Sequence, residues 1–238
     1  MPASRAERPV VIAIDGPAAS GKSSTSKWVA ERLGVHHADS GALYRAVTAS
    51  RLRAPGTSGT SDTSDTSDMP ESWTEQSVLE AARAVSFVPG KTSFEVRIND
   101  APADEELRGA GVTANVSLVA RMPSVRAWVN ARIRECALGS SIVVDGRDMG
   151  TAVFPDAVLK IFLIADPWER ARRRLVQRLE RSPSEDEIAV ETDDIVKRDA
   201  KDATQTQQAA DAILIDTTYL TQAEQVDRIV ALARAVGG

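Results

Sequence analysis

The stretch Val10 to Ser24, VVIAIDGPAASGKSS, decides the fold class of this chain of 238 residues. Its first part is apolar and β-branched, as in a short buried strand, and the rest fits the pattern G-x-x-x-x-G-K-[ST]. A strand that leads through this pattern into a helix is the setting of a phosphate-binding loop, because backbone N–H groups and the helix N-terminus attract anions. We therefore predict that the loop binds the phosphates of ATP through Gly16, Pro17, Ala18, Ala19, Ser20, Gly21, Lys22, Ser23 and Ser24.

Three side chains are expected to carry the chemistry of this loop. Lys22 should reach the β- and γ-phosphates and act in catalysis, and the Ser23 hydroxyl should bind Mg²⁺. Asp145 ends the apolar run SIVVD, where a second ligand for magnesium is expected.

The chain has no N-K-x-D segment to recognise guanine, which argues against a GTPase switch. A motor would need more length, so a phosphotransferase or a passive nucleotide binder remains.

Composition and charge narrow the class of partners. The net charge of -5 argues against a broad nucleic-acid surface, so phosphate binding must depend on a few placed cations. No run approaches the ~18 apolar residues that span a membrane. We expect a cytoplasmic monomer with no nucleic-acid or membrane partner, and we expect Cys136, the single cysteine, to be a core thiol.

Short apolar runs alternate with segments of helical periodicity, which indicates an α/β fold with a parallel five-stranded sheet flanked by helices. We predict helices over Lys22–Leu33, ending at Gly34, and over Ser124–Leu138. Asp166 and Thr221 have the sequence context of helix N-caps. The predicted strands are Val10–Ile14, Val35–Ala38, Ser141–Val144, Lys160–Ile164 and Ala212–Ile215.

Two segments interrupt this alternation. The first contains a polar Ser/Asp/Thr repeat at 56–68, predicted to be a mobile loop, and a hairpin around Pro89-Gly90 that lies outside the main sheet. The second is rich in arginine and predicts a helical lid with a polar tip. The predicted division is a flexible N-terminus at 1–9, core at 10–50, an inserted acceptor-binding module at 51–130, core at 131–165, the lid at 166–205 and core at 206–238.

Two loops are expected at the carboxyl edge of the sheet, where ligands bind in open α/β folds. In ADSGALYRAV, Asp39 or Ser40 can cap a helix that carries Arg45 in its second turn. In DGRDMGTAVFPDA, Arg147 and Asp148 project between two glycines. Together with the phosphate loop, these residues indicate a second binding site, for a phosphate acceptor.

The lid arginines form a charge run whose members are mostly expected on a solvated helix face. One or two of them are expected to close over the transferred phosphoryl group. The residues predicted to act in catalysis are Lys22, Arg147, Arg173 and Arg198.

Several stretches resemble the bacterial cytidylate kinases, a family of nucleoside monophosphate kinases: IAIDGPAASGKSS, DSGALYRAV, VVDGRDMGTAVFPDA and RDAKD with ADAILIDTT. The resemblance runs from about Val10 to the C-terminal helix and is poorest over residues 52–105. It implies an enzyme of pyrimidine nucleotide metabolism that transfers the γ-phosphate of Mg·ATP to CMP and dCMP. The substrate-binding residues that it implies are Asp39, Ser40, Arg45, Arg108, Ser117, Arg126, Arg147, Asp148, Arg198 and Asp202.

The resemblance also divides these residues by role. It places Ser40, Arg45 and Arg147 around the monophosphate, and it leaves the role of Arg108 open. It brings Arg198 and Asp202 to the sugar and phosphates from the lid. Those that it assigns to the cytosine are Ser117, Arg126 and Asp148.

Base recognition by Asp148 agrees with the chemistry of cytosine. Its N4 amine is a donor where uracil presents an oxygen, and a buried carboxylate accepts from the amine and repels the oxygen.

The chain departs from the family pattern at Gln205, where an arginine is usual, so a phosphate contact is lost or Lys201 compensates. Ala19 replaces a common glycine, which is tolerable if its φ is not positive. Two alternatives stay open: another acceptor such as UMP, and a regulatory nucleotide-binding module with weak catalysis.

Overall fold

The computed structural model describes residues 9–54 and 73–236. These residues form two compact units, one from the residues up to Ala38 and from Arg134 onward, the other from Asp39 to Ile133. The predicted loop at 56–68 lies outside the described residues, as does the predicted flexible N-terminus at 1–9 except for its last residue. No helix within the described ranges is long and apolar enough to cross a membrane.

A five-stranded sheet runs through the first unit, with strands β1 (Val11–Asp15), β2 (His36–Asp39), β6 (Ile142–Asp145), β7 (Leu159–Ile164) and β8 (Ile213–Asp216). Their order is β2-β6-β1-β7-β8. Strand β1 pairs in parallel with β6 and β7, and β7 pairs in parallel with β8. The prediction of a parallel five-stranded sheet is confirmed. Because β1 is the central strand, the loop that follows it begins in the middle of the carboxyl edge.

Four of the five core strands end on an aspartate, which sequence patterning missed. Each of these strands was predicted to end one residue earlier, on its last apolar residue. Backbone pairing continues further, since Asp145 pairs with Ile14 in the register and Asp216 pairs with Ile164. A ladder of backbone hydrogen bonds does not need an apolar side chain at its last residue. The predicted strand ends were therefore wrong by one residue at the edge where the site lies.

The helices of the first unit follow their sequence signals closely. They are α1 (Lys22–Leu33), α6 (Pro167–Leu179), α7 (Glu185–Asp202) and α8 (Gln222–Val236). Gly34 ends α1 in the left-handed region, at a φ of 70°. The Asp166 side chain accepts from two N–H groups at the start of α6, and Thr221 forms the predicted capping box with Glu224 before α8. One core cluster joins the sheet to α1 and α8 and includes Ile14, Val29, Ile161 and Ile229.

The second unit is built from strands β3 (Val85–Pro89), β4 (Phe94–Ile98) and β5 (Ala101–Pro102) and helices α2 (Ser40–Arg53), α3 (Glu75–Ala82), α4 (Ala110–Val119) and α5 (Pro123–Cys136). The strands form a separate antiparallel sheet, so the predicted hairpin is confirmed. Helix α5 was predicted to reach Leu138. It ends two residues earlier, because Ala137 and Leu138 bond three residues back in a tightened last turn. Cys136 is buried, as predicted, and burial raises its pKa to about 12.

Candidate active site

The phosphate loop connects the central strand β1 to helix α1. Gly16 has a φ of 147°, and a side chain there would bring its Cβ within 2.1 Å of the Leu163 carbonyl oxygen. Gly21, at a φ of 87°, takes the position before α1, which begins at Lys22. Lys22 is 5% exposed, and its Nζ donates to the Pro17 carbonyl and to the Ser20 hydroxyl. The loop therefore folds around its own lysine at the start of a helix, where anions are favoured.

The two residues predicted to bind magnesium are in direct contact. The Ser23 hydroxyl donates to Asp145 Oδ2 at 2.7 Å, which joins the start of α1 to the end of β6. The other carboxylate oxygen, Asp145 Oδ1, lies 2.6 Å from His37 Nε2, and both side chains are buried. Since a carboxylate oxygen accepts, the His37 N–H is the donor in this contact. His37 thus fixes the orientation of Asp145 from the neighbouring strand β2.

Two of the predicted arginines converge on one aspartate. Arg147 Nε lies 3.9 Å from Asp202 Oδ2, and Arg198 Nε lies 3.7 Å from the same oxygen. The Asp202 carboxylate offsets the repulsion between two like charges, so it holds the two guanidinium groups close together. The segment after α7 also lies here, because the Gln207 N–H donates to the Arg147 carbonyl at 3.2 Å.

The lid arginines have different partners. Arg170 is 3% exposed, donates to the Ala18 carbonyl at 2.8 Å and pairs with Asp199 of α7 at 2.6 Å. Arg173 donates to the carbonyls of Thr217 and Thr218, and burial lowers its pKa. In this structure Arg170, which was not among the predicted site residues, therefore contacts the phosphate loop. The catalytic role of Arg173 stays a prediction, although its guanidinium is bound to the loop after β8.

Four of the predicted residues of the second unit lie near the start of α2 or in the segment before α4. Asp39 caps α2 by accepting from the Ala42 N–H at 3.1 Å, and Ser40 is buried beside it. Arg45 Nη1 donates to the Leu107 carbonyl at 3.0 Å, next to the exposed Arg108. Arg45 and the segment containing Arg108 are thus brought together.

The other two predicted residues of this unit follow each other closely. Ser117 lies on α4, and its carbonyl accepts from Arg121. Arg126 on α5 donates to the Ala120 carbonyl at 3.3 Å, in the turn between the two helices. Both residues are half-buried. Their assignment to the cytosine stays a prediction.

Among the residues that sequence reasoning did not place in the site, His37 contacts Asp145, Arg170 contacts the phosphate loop, and Asp15 accepts from the two N–H groups that follow Asp148. Asp15 is the last residue of β1, and its position directly before Gly16 was the available signal. For His37, the alternation of side chains along β2 allowed one of two neighbouring histidines to face inward. Nothing in the sequence separated Arg170 from the other arginines of the lid.

The parallel sheet, the glycine-rich loop after its central strand and the enclosed lysine define the phosphate-binding fold of the P-loop proteins. The sequence profile described as cytidylate kinase matches residues 12–235. The chain is 41% identical to the cytidylate kinase of Geobacillus kaustophilus HTA426, over 95% of this chain and 97% of that protein. It is 40% identical to the cytidylate kinase of Mycolicibacterium paratuberculosis K-10, over 94% and 95%. The chain belongs to the cytidylate kinase family, and the resemblance inferred from its motifs is confirmed.

Among solved structures, the chain is similar to a gluconokinase from Sinorhizobium meliloti 1021, over 97% of this chain and 96% of that one. The identity is 14% and the TM-score is 0.46, so this likeness has no bearing on the substrate.

Proposed function

We propose that this protein transfers the γ-phosphate of Mg·ATP to CMP and dCMP, giving ADP and the corresponding diphosphate. The observation that carries the proposal is the match to the cytidylate kinase profile from residue 12 to residue 235. It covers the phosphate loop and both loops expected to form the acceptor site. A cytoplasmic monomer remains the expectation for the state of the enzyme.

The Ser23–Asp145 pair supports the choice of Mg²⁺. This ion prefers oxygen ligands, and the pair offers a hydroxyl and a carboxylate oxygen 2.7 Å apart. The His37 contact holds the carboxylate in place. Ser23 and Asp145 would hold the ion, directly or through water, and when bound it would neutralise charge on the phosphate oxygens.

The protein's own residues supply positioning and charge. Lys22 and the N–H groups at the start of α1 would bind the transferred end of ATP. Arg147 and Arg198, held by Asp202, would stabilise the negative charge that develops between donor and acceptor. A well-placed arginine can contribute on the order of 10³–10⁵ in rate.

The acceptor is the part of the proposal that an assay settles first. ADP formation should be measured with ATP and CMP, dCMP, UMP or AMP, and Lys22→Ala protein prepared in the same way controls for contaminating kinases. We expect turnover with CMP and dCMP, and kcat/KM lower by at least about tenfold for UMP, because a site built for an amine rejects an oxygen. Folded protein that binds ATP but forms no ADP with any acceptor would exclude the kinase. A preference for UMP would exclude the proposed specificity.

A further inference from the structure

Asp15 occupies a position that neither the phosphate loop nor the acceptor residues account for. It is the last residue of the central strand β1, directly before Gly16, and is 4% exposed. The hydrogen bonds of its carboxylate go to residues far along the chain, and the charge of Lys22 in the following loop acts on it without a hydrogen bond. Oδ1 accepts from the Met149 N–H at 2.8 Å, and Oδ2 accepts from the Gly150 N–H at 2.7 Å.

These two N–H groups begin a π-helical turn, Met149–Val153, which follows Arg147 and Asp148. The first N–H groups of a helical turn have no partner within the turn and need an acceptor from elsewhere. An aspartate just before a helix usually supplies that acceptor itself. Here Asp148 stands at that position and its side chain makes no capping hydrogen bond. Asp15, at the end of strand β1, accepts from the first two N–H groups of the turn. The Asp148 carboxylate is therefore not needed to cap the turn.

We propose that Asp15 is a positioning residue that fixes the loop 146–150 and so presents Arg147 and Asp148 to the acceptor. The inference rests on the proposed function, since it concerns how the acceptor site of that reaction is held. Both carboxylate oxygens are used and both bonds go to consecutive residues, so the loop can neither slide nor rotate without breaking one of them. Gly150 fits this contact closely, because a Cβ there would lie 3.4 Å from Asp15 Oδ2 and 3.2 Å from Lys160 Cδ.

The charges around Asp15 bear on how the contact depends on pH. The pKa of Asp15 is raised to about 6, chiefly by burial and to a lesser extent by the nearby Asp148 carboxylate, while the Gly150 and Met149 N–H groups and the Lys22 ammonium act to lower it. Lys160 of β7 also lies close to Gly150, and its ammonium is paired with Asp211. A protonated carboxyl retains only part of its capacity to accept, so protonation weakens one of the two bonds.

The test compares Asp15→Asn with Asp216→Asn. Asp216 also ends a core strand and accepts from the N–H and hydroxyl of Thr218, so it controls for the loss of a strand-end carboxylate. We expect Asp15→Asn to lower kcat/KM for CMP by at least about tenfold, as expected when a hydrogen bond to a charged group is lost, with the KM for ATP within about threefold. Asp216→Asn should keep both constants within about twofold of wild type.

The pH profile separates positioning from a merely structural role. The second ionisation of the CMP phosphate, with a pKa of about 6, affects wild type and variant alike and cancels in the ratio of their kcat/KM values. We expect this ratio to be constant above about pH 7 and to fall towards unity below about pH 6, where wild-type Asp15 becomes protonated. A pH-independent ratio, or equal losses for ATP and CMP, would overturn the inference.

A second variant and a measurement on the wild type cover the case in which Asp15→Asn does not fold. Gly150→Ala leaves Asp15 intact and brings a methyl group to 3.2 Å from Lys160 Cδ and 3.4 Å from Asp15 Oδ2, and we expect a smaller loss of kcat/KM for CMP, with the KM for ATP unchanged. In wild-type protein, the Met149 and Gly150 amides should exchange slowly with solvent at neutral pH, and unprotected amides there would also overturn the inference.

If wild type itself forms no ADP with CMP, the proposed function fails. If wild type is active and Asp15→Asn matches it, only the inference about Asp15 fails.

Discussion

At position 19, in the phosphate loop, an alanine adopts a φ of 57°. The sequence expectation was that alanine is tolerable here if φ is not positive, and that condition is not met. Left-handed backbone costs an L-residue about 1–2 kcal/mol, because its Cβ crowds the following carbonyl oxygen. The phosphate loop of this chain is therefore strained at Ala19. The residue before it, Ala18, is the one whose carbonyl accepts from Arg170.

Replacing Ala19 by glycine should relieve this strain. We expect Ala19→Gly to raise the free energy of unfolding by about 0.5–1 kcal/mol, after allowing for the greater freedom of glycine in the unfolded chain. Ala18→Gly is the matched control, since Ala18 is not among the non-glycine residues with positive φ, and it should lower stability. Chemical denaturation of both variants measures the difference. Destabilisation by both changes would contradict the strain.

Asp148 is buried, and its proposed role is to accept from the cytosine amine. We expect Asp148→Ala to raise the KM for CMP by at least about tenfold, the effect of one charge-assisted hydrogen bond, while the KM for ATP changes little. The measurement is steady-state kinetics with each substrate varied in turn. Equal effects on both KM values would argue that Asp148 supports the loop and does not read the base.

At the scale of elements, helix α6 is joined to the phosphate loop and to α7 by the side chain of Arg170. Its guanidinium reaches the Ala18 carbonyl in one direction and Asp199 in the other. The predicted lid is therefore connected to the loop that it is expected to cover. A change in the packing of α6 against α7 would reach the phosphate loop through Arg170 and also through Ala19, which packs against the buried apolar residues of these two helices.

Removing the Arg170 side chain should weaken both contacts. We expect Arg170→Ala to lower the free energy of unfolding by about 2 kcal/mol, less than for a fully buried pair because Asp199 is partly exposed, and to raise the KM for ATP. Arg172→Ala removes an exposed arginine of the same helix that pairs with Glu169, and it should cost less than about 1 kcal/mol. Similar losses in the two variants would show that Arg170 has no special role.

Elements with local signals were predicted well from sequence. Helix α1 has the predicted bounds because the residues directly beside its ends signal them: Gly21 precedes its first residue, Lys22, and Gly34 follows its last residue, Leu33. The contacts of His37 with Asp145 and of Asp15 with Met149 were not predictable in the same way. These contacts join residues more than a hundred positions apart in the sequence. They could not be predicted because the order of the strands in the sheet depends on tertiary packing. The site was thus predictable in its residue types but not in its supporting hydrogen bonds.

At the scale of the whole molecule, the net charge of -5 works against anionic substrates. A long-range field of this sign lowers the local concentration of nucleotides, so binding must rely on short-range cations. Within the described part of the first unit, those cations include Lys22, Arg147 and Arg198. The Asp15 carboxylate adds a negative charge in the same region at a cost to folding.

That cost gives the stability of the protein a predictable pH dependence. The pKa of Asp15 rises from 3.8 to about 6 on folding, so between these values the folded state binds more protons than the unfolded chain. Stability must then fall as pH rises through this window. We expect the wild type to gain ~1.4 kcal/mol relative to Asp15→Asn on going from about pH 8 to about pH 5. Denaturant titrations of both proteins across this range measure the gain, and parallel curves would contradict the assignment.

The strand-end aspartates also set where this fold can be cut and rejoined. Asp15, Asp39, Asp145 and Asp216 each accept a hydrogen bond from a residue of a following or neighbouring segment. A chimaera that exchanges a loop at the strand boundary would separate a carboxylate from the groups that it holds. Transplanting the acceptor loop into another scaffold would thus require Asp15, although it lies far away in sequence, to be transferred with Met149 and Gly150.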